Sequence, residues 1–278
     1  MKILSGIAGR EIQYDSLDCK IKILGLVRER KRLEEAALDL VPRYDGELHL
    51  AADDYMIVCD YHSPYFSVLW HNRMLAVAEK LDVRKIIIIG DLVDCAFASY
   101  YYSEHKPALA DEADENKRLL RSFLDSFEEI ILIKGNHEDR LGRLTDAKVT
   151  IEILLENWTR EAWGTQIKYS SYDKLFIGDE WMLVHPKSYS QISGNVSKRL
   201  AAKFHRHIIN THGHFVAWGY DVSGEYLSVD LGGMFDLAKI EYVNMKTTTH
   251  PLWGNGFGVL RNNHFTLFDK MTDWGQYK

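Results

Sequence analysis

The chain has 278 residues, 46% hydrophobic and 27% charged, with a formal net charge of −6. This is ordinary composition for a globular protein of one large domain or two modest ones, and the acidic balance excludes a global attraction to nucleic acid or an anionic membrane. No apolar run approaches a membrane span and the N-terminus lacks a sustained signal-peptide core. Three cysteines without CxxC spacing (Cys19, Cys59, Cys95) argue against disulfides and a thiolate zinc site, and suit a reducing, cytoplasmic setting.

Residues 1–50 read as a partly helical N-terminal appendage. The run "VRERKRLEEAALDL" (residues 27–40) has helical periodicity and good helix formers, with a stop at Pro42. It suits a dimer contact or a tethered arm, so a homo-oligomer stays open. Residues 51–278 read as a single domain in which strands and helices alternate.

Within that domain "YMIVCDYH" (residues 55–62) is a buried strand. "SPYFSVLWHNRMLAVAEKL" (63–81) opens a helix with Ser63 as N-cap and Pro64 at the first helical position. "KIIIIGD" (85–91) is a strand ending in a Gly-Asp turn, "DENKRLLRSFLDSF" (114–127) an amphipathic helix, and "EEIILIKGNHE" (128–138) a strand running into a loop. "KLFIGDEWMLVHP" (174–186) makes a hairpin turning at Gly178 and Asp179. "NVSKRLAAKFHRH" (195–207) is a helix and "IINTHGH" (208–214) a strand. "DLGGMFD" (230–236) is a strand end whose glycines permit a tight turn, with no chemistry assigned. Alternating elements followed by late hairpins imply layered sheets flanked by helices.

The strand ends carry the informative residues: Asp60 and His62; Asp91 and Asp94; Asn136 and His137; His185; His212 and His214. In an open α/β sheet the carboxyl ends of the strands line the binding crevice. Residues two apart in an extended segment project to one side, so Asp60 with His62, and His212 with His214, can each approach one centre, while Cys59 faces the core. Carboxylate, imidazole and amide oxygen suit Mn, Fe or Zn over thiophilic metals. Asp60, His62, Asp91, Asn136, His185, His212 and His214 are too many for one tetrahedral zinc ion. With Asp91 bridging they fit two metals roughly 3.5–4 Å apart, a spacing used in phosphoester hydrolysis.

The ordered blocks "DYH", "GDLVD", "GNHE", "VHP" and "HGH" resemble the calcineurin-like metallophosphoesterase superfamily, phage-type members included, over roughly residues 55–268. That resemblance implies a four-layer αββα sandwich of two mixed β-sheets flanked by helices. It implies two divalent metal ions, Mn first with Fe or Zn as substitutes, and hydrolysis of phosphate esters by hydroxide generated at the metals. It gives Asp60, His62, Asp91 and His214 to one metal, and Asp91, Asn136, His185 and His212 to the other. His137 is then no ligand but a catalytic group oriented by Asp94. Pro186 departs from the glycine that many relatives carry after the fourth block; it stiffens that wall and removes a backbone donor.

The favoured substrate is a nucleic-acid or nucleotide phosphodiester, with phosphomonoesters and phosphoproteins as alternatives; a non-catalytic interaction module is the alternative of another class. Two features motivate the diester. Residues 186–220 contain no Asp or Glu but carry Lys187, Lys198, Arg199, Lys203 and Arg206, either a solvated helix face or an anion-attracting wall. Tyr100, Tyr101 and Tyr102 are either packing or a surface on which a nucleobase stacks. Of the remaining histidines, His250 has some claim to the substrate mouth, whereas His49, His71, His105, His205, His207 and His264 read as surface or satisfied core residues.

Overall fold

In chain order the strands are Leu48–Leu50 (β1), Tyr55–Val58 (β2), Lys85–Ile89 (β3), Glu129–Ile133 (β4), Ile167–Ser170 (β5), Lys174–Ile177 (β6), Trp181–Val184 (β7), His207–Asn210 (β8), Val216–Tyr220 (β9), Leu227–Leu231 (β10), Phe257–Arg261 (β11) and His264–Phe268 (β12). The helices are Val68–Leu81 (α1), Leu109–Ser126 (α2), Glu138–Leu144 (α3), Ile151–Thr159 (α4), Asn195–Phe204 (α5) and Glu241–Asn244 (α6). This computed structural model describes residues 46–244 and 252–277. The helix expected over residues 27–40, Cys19 and His250 lie outside them.

The near-continuous apolar runs of β2, β3 and β4 are what strands buried on both faces require. They pair in parallel with one another and with β5, and β11 and β12 add antiparallel on the far side. The result is a six-stranded sheet of order β12-β11-β2-β3-β4-β5; the second sheet runs β1-β6-β7-β8-β10-β9. Alternation sorts the side chains into two cores. Tyr55, Ile57, Ile87, Ile89, Ile131 and Ile133 meet Leu175, Leu183, Ile209 and Val229 between the sheets. Met56, Val58, Ile86 and Ile88 pack outward with Met74 and Val77 of α1 and with Leu120 and Phe123 of α2. On the other outer face Met182, Val184 and Ile208 cover Ala201 of α5. Helix, sheet, sheet, helix: the expected αββα sandwich is what forms. Among the described residues no helix is long and apolar enough to cross a membrane.

Two boundaries differ from expectation. The first long helix begins at Val68, capped by Ser67, whose hydroxyl accepts from the Trp70 N–H; Ser63 is not its cap. Residues 63–66 are instead held as irregular chain by neighbouring loops. The Ser63 N–H donates to the Leu92 carbonyl at 3.0 Å, the Ser63 carbonyl accepts from Asp94 at 3.0 Å, and Phe66 bridges to Phe235. At the other end, β1 pairs in parallel with β6, Leu48 opposite Leu175, so a domain beginning at residue 51 would leave out an edge strand. The expected hairpin is present, β6 antiparallel to β7, turning through Gly178 at φ +53°.

His71 is the satisfied core histidine the sequence suggests. It lies on the buried face of α1, with Nδ1 3.1 Å from the Tyr61 hydroxyl and Nε2 2.8 Å from the Ser122 hydroxyl of α2. Burial pushes its imidazole down from 6.5 to about 4. A base depressed on folding takes up its proton more readily in the unfolded chain, so its contribution is complete above pH 6.5 and drains away as pH falls toward 4. At about 1.4 kcal/mol per pH unit, wild type is expected to lose roughly 2–3 kcal/mol more than His71→Gln between pH 7 and pH 4.5. Urea unfolding at the two pH values measures this; parallel pH dependence of the two proteins would refute it.

Candidate metal centre

The motif residues stand just beyond the carboxyl ends of β2, β3, β4, β7 and β8, where neighbouring parallel strands open a crevice. They do not converge by strand alternation, as the sequence suggests. Asp60, His62, Asp91, His212 and His214 all have positive φ, between 47° and 72°, the left-handed region costly for residues with a Cβ. Each strand therefore ends in a turn that swings its side chain inward. Loop-to-loop hydrogen bonds fix the turns: Asp60 N–H to the Gly90 carbonyl at 3.1 Å and His62 N–H to the Asp91 carbonyl at 2.9 Å. Cys59 is fully buried in the inter-sheet core, its thiol against the Gly232 carbonyl.

Seven expected ligands and the two expected catalytic residues come together. His214 Nε2 lies 2.9 Å from Asp60 Oδ1 and 3.1 Å from His62 Nε2; Asp60, His62 and His214 form one group whose donor atoms could share a cation. Asp91, His185 and His212 form a second, which Asn136 joins through Oδ1, 3.0 Å from His185 Nε2. Between them lies Asp91 Oδ2, 3.3 Å from His185 Nε2, 3.8 Å from His137 Nε2 and 3.9 Å from His62 Nε2. His62, Asp91 and His137 also meet closely enough to make a third group. His137 Nδ1 sits 2.9 Å from Asp94 Oδ1.

Electrostatics tests whether these residues fit a cation. Burial alone would raise the carboxyls of Asp60, Asp91 and Asp94, yet surrounding imidazoles hold all three well below the usual carboxylate range. Burial would likewise lower His62 and His185. Hydrogen bonds with Asp60 and Asp94 instead raise His62 to about 10, and Asp91 raises His185 to about 9. The three carboxylates attract compensating positive charge, whether protons or metal. Asp91 Oδ2 is buried without a well-aligned hydrogen bond, its nearest donors being imidazoles at 3.3–3.9 Å, so positive charge beside it, from those rings or from a metal, is what makes its burial tolerable. The donor set fits divalent metals of the Mn, Fe or Zn type.

Several residues given no role in the sequence build this site. Glu138, the last residue of "GNHE", accepts backbone N–H groups from Asp91, Leu92, Val93 and Gly135 at 2.8–3.3 Å, clamping the Asp91 loop to the Asn136 loop. Burial and the Asp91 charge push it up to about 7. Arg140, one helical turn beyond His137, donates to His137 Nε2 at 2.9 Å and to the Asp94 carbonyl and carboxylate at 2.8 and 3.1 Å. Phe235 and Trp253 wall the site against the His214 ring, with centroids 4.9 and 4.3 Å away. The "DLGGMFD" segment therefore does have a site role. Gly233 lies so near Asp60 that a Cβ there would sit 3.1 Å from the Asp60 Cβ. The Asp and His signals were visible because such residues are rare at apolar strand ends; Arg140 had only its place after "GNHE".

The acid-free stretch resolves toward the solvated face. Lys198 and Arg199 are exposed on α5, Lys203 lies over Phe204, and Arg206 lies over Phe176 and donates to the Asp179 carbonyl.

No family model matches the chain, and no curated protein matches it. Solved structures do. Yfce, a phosphoesterase from E. coli, shares 13% identity at a TM-score of 0.40, over 78% of this chain and 92% of its own. Vacuolar Protein Sorting 29 from Cryptosporidium parvum shares 11% at 0.38, over 78% and 98%, and Vps29 from Chaetomium thermophilum 11% at 0.38, over 78% and 96%. Helix, sheet, sheet and helix in layers, with the five ordered motif blocks gathered at the strand ends, are the arrangement that the motif resemblance implies.

Proposed function

We propose that the chain is a metal-dependent phosphoesterase using two divalent cations, Mn foremost. Asp60, His62, Asp91 and His214 would hold one, and Asp91, Asn136, His185 and His212 the other. The observation that carries this reading is the buried Asp91 carboxylate, ringed by three imidazoles and set between two ligand groups. Bound cations would supply Lewis acidity toward phosphoryl oxygens and acidify a water between them.

The chain's own groups do the rest. Asp94 accepts from His137 Nδ1 and fixes that ring, while Arg140 donates to His137 Nε2. An arriving phosphate competes for the Arg140 guanidinium, a planar donor suited to its oxygens; Nε2, released as an acceptor, can then take up a proton from solvent and hand that proton to the leaving oxygen. Phe235 and Trp253 exclude water from the His214 side. The proposed substrate is a phosphodiester of a nucleic acid or nucleotide, supported now by the exposed tyrosines alone rather than by the basic helix.

The test is hydrolysis of bis-p-nitrophenyl phosphate and of the monoester with Mn, and again after chelation. Mn-dependent cleavage favouring the diester is expected. Cleavage of the monoester alone overturns the diester assignment, and no cleavage of either with metal bound moves the chain to a non-catalytic interaction module. In the same assay His137→Ala should lower turnover about 10²–10⁴-fold with Mn stoichiometry unchanged. Loss of a metal would make His137 a ligand, as its grouping with His62 and Asp91 allows.

A further inference from the structure

Tyr100, Tyr101 and Tyr102 carry their rings almost wholly in solvent, 81%, 79% and 84% exposed. Single exposed aromatics need no explanation, but three in succession concentrate aromatic surface on one loop. The loop that bears them is tied down. The Ser103 hydroxyl and the N–H groups of Glu104 and His105 donate to the Glu241 carboxylate at 2.6, 2.8 and 3.2 Å. Lys106 reaches the Ser99 carbonyl at 2.7 Å, and upstream the Ala96 N–H donates to buried Glu112 at 2.7 Å. These bonds hold the backbone and leave the rings facing outward, a preorganised presentation.

Tyr100 is also coupled to the metal centre. The Arg143 guanidinium carbon lies 5.9 Å from its ring centroid, and the same guanidinium donates to the Asn136 carbonyl at 3.5 Å. Arg140, three residues earlier on α3, is engaged with Asp94 and His137. Residues three apart share a helix face, so two guanidiniums lead from the candidate centre to the tyrosine. An aromatic face backed by a cation accepts any base by stacking, and the cation neutralises a neighbouring phosphate. Bases in a duplex keep their faces hidden; those of a single strand do not.

We propose that Tyr100, with Arg143 against it, is a stacking subsite for the nucleobase flanking the scissile phosphate, so that the substrate is single-stranded nucleic acid. The proposal rests on the phosphodiesterase reading above and deepens it. The experiment is fluorescence anisotropy of the full chain with Mn at one salt concentration, comparing labelled phosphorothioate oligothymidylate, which resists hydrolysis, with a phosphorothioate abasic oligomer of equal length. Hydrolysis of bis-p-nitrophenyl phosphate is followed in parallel. Wild type should bind the base-bearing oligomer about 10-fold more tightly. Tyr100→Ala should bring that preference close to one, and Tyr100→Phe should retain it. Absence of a preference in wild type, or its persistence in Tyr100→Ala, overturns the subsite. If the diester is cleaved without any base preference, the subsite alone falls. Base preference through Tyr100 without diester cleavage upholds the subsite and sinks the phosphodiesterase reading.

Discussion

Asp91→Asn is expected to lower kcat/KM for a diester by at least about 10³-fold, because the two proposed cations, which would supply several kcal/mol of transition-state stabilisation, would both be held by this carboxylate. The substitution preserves shape. Oδ1 can still accept the His137 N–H, a bond of 2.9 Å, and the backbone N–H remains on Glu138 at 3.0 Å, so the fold should survive. What goes is the negative charge on Oδ2, the atom that His185, His137 and His62 surround at 3.3–3.9 Å. Every other proposed ligand would serve one cation and this one both, so its loss should weaken both. Calorimetric titration with Mn should fall from two sites to one or none. Two intact Mn sites with near wild-type turnover would show that Asp91 does not bridge.

The sandwich was legible in the sequence because strands buried on both faces leave little choice of composition: Ile86, Ile87, Ile88 and Ile89 supply both cores at once. The candidate ligands were legible for the opposite reason, being polar residues where an apolar run stops. What stayed hidden is non-local. The turn geometry at Asp60 and His214 is invisible locally, since neither residue type favours positive φ strongly enough to announce it. Phe235 and Trp253 become a wall only when β10 and the segment before β11 close over His214. Glu138 shows no pattern that reveals four backbone donors, three of them more than 40 residues away. The helix start moved from Ser63 to Ser67 because hydrogen bonds to Leu92 and Asp94 outweighed a favourable cap sequence.

Gly135→Ala is the sharpest steric test of the same centre. A Cβ there would overlap the Asp91 Oδ1 and backbone N and come within 2.9 Å of Asp91 Cγ. Gly135 is not among the residues at positive φ, so alanine can adopt its backbone, and the effect comes from volume alone. None of the atoms it meets is the free end of a flexible side chain: the Asp91 N–H and the Gly135 N–H are both held by Glu138. Relief must therefore push Asp91 away from His185 or pull the Asn136 loop outward. Overpacking of this kind costs about 1–3 kcal/mol, and displacing a reacting group by an ångström costs about 10²-fold in rate. Gly142→Ala is the control, seven residues on in α3, where an added Cβ meets nothing within 4 Å; it should stabilise the protein by up to about 1 kcal/mol and keep activity. Urea unfolding, Mn affinity and diester turnover on the pair decide the matter. If Gly135→Ala matches Gly142→Ala in Mn affinity and rate, the close approach of the two loops has no part in holding metal, and the centre must lie elsewhere in the cluster.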